Sequence, residues 1–162
     1  MKTSFLIILL TCLLVVCYQD SKHRTIHVFL PVLIFSASCF FLYTYQKNDY
    51  VTILKNIGFF MLTLGFLILY MSIKNRGFQN PFQNYFGLGD LFYYISIAPL
   101  FVLKNYILYF IFSLIFSLVM FAVFRKKMSS QTIPLAGFAA LLLFFFIIID
   151  LLDVADKITL IG

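Results

Sequence analysis

The chain contains no tryptophan, no glutamate and only two histidines, and charged residues make up just 11% of its 162 positions. Each shortage excludes something. With 63% hydrophobic residues and a mean hydropathy of +1.03, no water-soluble domain of this length could hide its apolar surface, so the solvent is lipid. Three cysteines (Cys12, Cys17 and Cys39) all lie inside apolar runs, and none forms a C-x-x-C pair. That excludes a disulfide framework and a zinc finger, and they read as small buried hydrophobes. No cluster of histidine and cysteine has metal-site spacing, so neither a metal nor a cofactor is expected. Without glutamate, all six acids are aspartate, against twelve lysines and arginines. The net charge of +6 would hint at nucleic acid in a soluble protein. Here it follows from basic loops that orient the chain in a bilayer, and no nucleic-acid partner is expected.

What is abundant is phenylalanine, 22 in all, and uninterrupted apolar sequence. Six runs, at about 3–19, 27–45, 53–73, 87–103, 106–124 and 132–152, have lengths suited to a ~30 Å hydrocarbon core. The expectation is an all-α polytopic membrane protein forming one domain over residues 1–162. The first run resembles a signal peptide, but Val16 is not the small residue that cleavage before Cys17 would need, so it is read as a retained helix. The fourth is short and carries Pro99, with Lys104-Asn105 as a tight hairpin after it. The loop 74–86 alternates aromatic residues with Asn and Gln and is expected to serve as a flap that guides substrate to Asp90.

Alternating the loops between two sides places seven basic residues (Lys22, Arg24, Lys74, Arg76, Arg125, Lys126 and Lys127) on one face and five on the other. The positive-inside rule makes the first face cytoplasmic and leaves both termini outside. Asp49, Asp150, Asp153 and Asp156 then lie outside, the last three as a solvated helix end. Asp20 and Asp90 alone lie inside, level in depth at the edges of the first and fourth runs.

Carboxylates at the edge of a lipid-facing helix are expensive and imply a job. Two of them at close range cannot both ionise, so one holds a proton while the other acts as a base. Such a dyad can polarise a scissile carbonyl and activate water without a metal. The macrodipole favours the anion on Asp90, at a helix start, over Asp20, at a helix end, while Lys22 and Arg24 favour it on Asp20. Gly87 and Gly89, in Gly87-Leu88-Gly89-Asp90, permit close backbone approach by a substrate strand or a neighbouring helix.

Three segments resemble the type IV prepilin peptidases and preflagellin peptidases, which are intramembrane aspartyl proteases. Asp20-Ser21-Lys22-His23-Arg24-Thr25-Ile26 is similar to the family's D-x-x-x-R-x-I-P stretch, Gly87-Leu88-Gly89-Asp90 to its G-x-G-D, and Ile133-Pro134-Leu135-Ala136-Gly137-Phe138 to its I-P-x-x-x-F segment. The resemblance implies Asp20 and Asp90 as the catalytic pair, with Gly87, Gly89, Arg24 and Pro134 shaping the site or binding substrate. It implies prepilin-like membrane proteins as substrates, cut at a basic leader on the cytoplasmic face of the inner (plasma) membrane. The chain departs from the pattern at His27 for proline, Val28 for asparagine and Phe92 for lysine. It also lacks the cysteines of the family's methyltransferase part, so methylation of the product is not expected. Two other readings remain: a small proton- or cation-coupled transporter or assembly subunit, and a non-catalytic relative that binds pilin-like proteins.

Overall fold

The computed structural model describes residues 2–46, 50–74, 87–125, 133–152 and 158–160. In lipid, backbone amides must find partners within the chain, so each apolar run closes into a helix. The helices are α1 (Lys2–His23), α2 (Phe29–Gln46), α3 (Tyr50–Lys74), α4 (Leu88–Ile97), α5 (Leu103–Phe124) and α6 (Leu135–Leu151), with a 3₁₀ turn (Ala98–Leu100) after α4. No strand occurs among the described residues. The protein is an all-α membrane protein, as expected. Thr3–His23, Tyr50–Lys74 and Leu103–Phe124 are long and apolar enough to cross a bilayer, whereas Phe29–Thr44, Leu88–Leu100 and Leu135–Leu151 are shorter apolar helices.

The burial pattern is that of a lipid-solvated bundle. Leu54, Phe66 and Ile73 on α3, and Leu118 and Val123 on α5, are exposed, while Ser38, Asn56, Ser113 and Ser117 are buried. Helix α1 lies between α2 and α6, and α6 also packs on α5. Leu9, Leu13 and Val16 of α1 share the core with Ala136, Ala139, Ala140, Leu143 and Ile147 of α6. The small residues opening α6 allow its backbone to come close to α1.

Helix α4 is short for a local reason. Pro99 has no N–H to give, and the Ala98 N–H turns to the Ile95 carbonyl in 3₁₀ fashion. That leaves the Tyr94 carbonyl without its helical donor, and the Tyr106 hydroxyl supplies one at 3.0 Å. The Asn56 amide, buried on α3, donates to the carbonyls of Ala98 (2.8 Å) and Phe101 (2.7 Å). Side chains from two neighbouring helices thus complete a backbone that proline has interrupted.

Two expectations change. The chain reverses at Phe101 and Val102, both extended, and Lys104 and Asn105 lie in the first turn of α5 rather than in a hairpin. Asn105 uses its amide to hold the Ile158 carbonyl at 2.9 Å. Asp150, expected to be solvated, is only 1% exposed. Residues 158–160 lie against it, and its carboxylate accepts from the backbone of Ile158 (3.0 Å) and Thr159 (2.7 Å) and from the Thr159 hydroxyl (2.6 Å). The Leu160 N–H then reaches the Leu100 carbonyl at 2.9 Å. Residues 75–86 of the aromatic loop, Lys126, Lys127, Asp153 and Asp156 lie outside the described residues.

Candidate active site

Asp20 occupies the last turn of α1, and Arg24 ends that helix. The Arg24 N–H bonds the Asp20 carbonyl at 3.2 Å, and Arg24 has φ of 58°, the only positive φ at a non-glycine residue among those described. A left-handed residue commonly closes a helix this way, but outside glycine it costs ~1–2 kcal/mol. The following loop is tied back to α1, because the Gln19 side-chain oxygen accepts the His27 N–H at 3.2 Å. It also lies on α4. A methyl group at Gly89 would come within 3.1 Å of Ile26 Cδ1, so the bare glycine backbone is what lets Ile26 sit there.

Asp90 is the third residue of α4. Its Oδ2 accepts the N–H of Gly87, the cap of its own helix, at 3.2 Å. Its Oδ1 accepts the N–H of Ala136 at 2.8 Å. Asp20 Oδ2 accepts the N–H of the very next residue, Gly137, at 2.7 Å. Both amides belong to the first turn of α6, where N–H groups have no acceptor within the helix and the macrodipole is positive. Carboxylates from α1 and α4, 70 positions apart in sequence, thus converge on one helix start.

This modifies the dipole argument from sequence. Asp20 ends one helix and Asp90 begins another, yet the start of α6 acts on both. Arg24 adds a positive charge that interacts with Asp20 and with Asp90. Burial lowers the pKa of its guanidinium, and the two carboxylates, Asp20 first, pull it back up. Asp20 is buried, at 7% exposure, whereas Asp90 is only half-buried. Contact between α1 and α6 is close at Gly137, where a Cβ would stand 3.1 Å from both Cβ and Oδ2 of Asp20 and 3.3 Å from the Cys17 carbonyl.

Asp20, Asp90, Gly87, Gly89 and Arg24 therefore gather at one end of the bundle. Pro134 is the buried N-cap of α6, two residues before Ala136. Sequence reasoning passed over Ala136 and Gly137, although Pro134 at a helix start marks where free N–H groups would point. Among the described residues, no group of three histidines, cysteines or acids could hold a metal ion. A cleft of about 610 Å³ lined by Val15, Tyr18, Gln19, His23, Thr25 and His27 runs beside the end of α1.

Neither the curated proteins nor the solved structures yield a match to this chain. A family model does: that of the type IV leader peptidase family, over residues 7–123. The matched stretch includes both aspartates and stops short of α6. With most of its length so matched, the chain belongs to the type IV leader peptidase family and is a protease of the aspartic type.

Proposed function

We propose that this protein is an intramembrane endopeptidase that removes basic leader peptides from prepilin-like precursors, with Asp20 and Asp90 as its acid–base pair. The observation that carries the reading is the seating of the two carboxylates on the consecutive amides of Ala136 and Gly137. Side chains so confined share a proton and titrate together, so roles are assigned to the pair and not to its members. The ionised carboxyl takes a proton from a water molecule, which attacks the scissile carbonyl. The protonated carboxyl polarises that carbonyl and then helps the amine to leave. The amides of α6 and the Arg24 guanidinium hold the dyad in place through the cycle.

In this reading, the dyad lies at the cytoplasmic edge of the inner membrane, where a basic leader meets its hydrophobic helix. The activity proposed is hydrolysis alone. Pili, pilin-like secretion systems and flagellin-like filaments are the assemblies whose subunits have that build. Cleavage of a lysine- and arginine-leader substrate by purified, lipid-reconstituted protein tests the proposal. Asp20→Asn and Asp90→Asn should each lower turnover by roughly 10²–10⁴-fold or more while inserting normally. Retention of wild-type cleavage by either variant would refute the assignment. A transporter would cleave nothing, and a mere pilin-binding protein would retain substrate uncut.

A further inference from the structure

Tyr93 and Tyr109 are at most 1% exposed, in surroundings where an unbonded hydroxyl has no water to turn to. The Tyr109 hydroxyl donates to the Ala139 carbonyl at 2.7 Å. A phenol has one proton, so at 2.8 Å from Tyr93 it can only accept, and Tyr93 is the donor. The result is a directed chain from Tyr93 on α4, through Tyr109 on α5, to Ala139 on α6.

The position of this chain relates it to the dyad. Tyr93 follows Asp90 by three residues, and Ala139 follows Ala136 by three. Residues so spaced share a helix face. The hydroxyls therefore join the same two faces whose ends meet in the Asp90–Ala136 hydrogen bond. Other buried hydroxyls serve elsewhere: Tyr106 completes the end of α4, and Tyr94 pairs with Ser113 at 2.7 Å. The Tyr109 ring is held independently of its oxygen, stacked on Phe101 at 5.0 Å and 24°.

We propose that Tyr109, supported by Tyr93, is a positioning residue for the cleavage reaction, setting the rotation of α6 so that Ala136 and Gly137 aim their amides at the two aspartates. The inference rests on the dyad reading above. Phenylalanine variants separate positioning from simple stability. In Tyr109→Phe, α6 loses its bond and the buried Tyr93 hydroxyl loses its acceptor, so both turnover and stability fall. In the double variant Tyr93→Phe/Tyr109→Phe no hydroxyl is orphaned, and stability returns towards wild type. Yet α6 still lacks its bond, so kcat remains roughly 10–100-fold low, the scale of a small misplacement of reacting groups. KM should stay within about threefold, because binding is not what is lost. Tyr93→Phe alone leaves Tyr109 bonded to Ala139 and should lower kcat less than either variant that removes the Tyr109 hydroxyl.

The experiment measures kcat, KM and thermal stability of the three variants in reconstituted full-length protein, beside Asp20→Asn and Asp90→Asn. A double variant that regains wild-type kcat together with stability overturns the proposal. If that happens while the aspartate variants are inactive, the dyad reading stands and this inference alone is lost. If the aspartate variants cleave normally, the dyad reading itself is lost.

Discussion

Gly137 is where chemistry and packing meet most closely in a single residue. A Cβ there would press on the carboxylate and Cβ of Asp20 at 3.1 Å, with the Cys17 carbonyl blocking retreat at 3.3 Å. Gly137→Ala should therefore destabilise the protein by about 1–3 kcal/mol, the usual cost of overpacking. It should also lower cleavage by roughly 100-fold, because Asp20 is displaced from its amide. Gly58→Ala and Gly65→Ala, with nothing within 4 Å of the added methyl, are the controls. They should stabilise α3 by ~0.5–1 kcal/mol and leave turnover unchanged. Thermal unfolding and peptide cleavage on the same preparations check both statements. Legibility at this scale follows chemistry. Asp20 and Asp90 stand out because carboxylates are scarce and costly in an apolar sequence. Ala136 and Gly137 do not, because the atoms they use are backbone N–H groups that nearly every residue carries.

At the scale of elements, the run lengths gave away the helices, since a lipid-embedded backbone has few alternatives to helical hydrogen bonding. The fourth run, expected to be continuous over 87–103, is instead interrupted at Pro99. The reversal falls at Phe101-Val102 and not at the polar Lys104-Asn105, because Asn105 is a tether for Ile158. Asp150 is buried, against expectation, for a related reason. Nothing local in its neighbourhood reveals that Ile158 and Thr159 return to cover it. The interrupted element also makes a prediction. Asn56→Ala removes the side-chain amide that donates to the Ala98 and Phe101 carbonyls, at a fully buried position. An unsatisfied buried group costs about 1–3 kcal/mol, so the variant should unfold at measurably lower denaturant or temperature. Cleavage per folded molecule should change much less, since Asn56 touches neither aspartate. A large loss of turnover without loss of stability would show that the α4 break is wired to the site.

At the scale of the molecule, the proposed topology, with the basic loops inside, has both ends of the chain opposite the dyad. A reporter enzyme that works only outside the cytoplasm should therefore be active when fused after Gly162, and a cysteine placed at Ser21 should resist labelling by an impermeant reagent in intact cells. The reverse pattern would put the aspartates on the external face and remove leader cleavage from consideration. The packing that joins α1, α4 and α6 has a further bearing on how such an enzyme is made. The acids are at positions 20 and 90, but the amides that gather them are at 136 and 137. A polypeptide translated only as far as Phe124 already carries both aspartates and still lacks the amides that unite them. On the proposed function, newly inserted copies should cleave nothing until translation has delivered that closing helix.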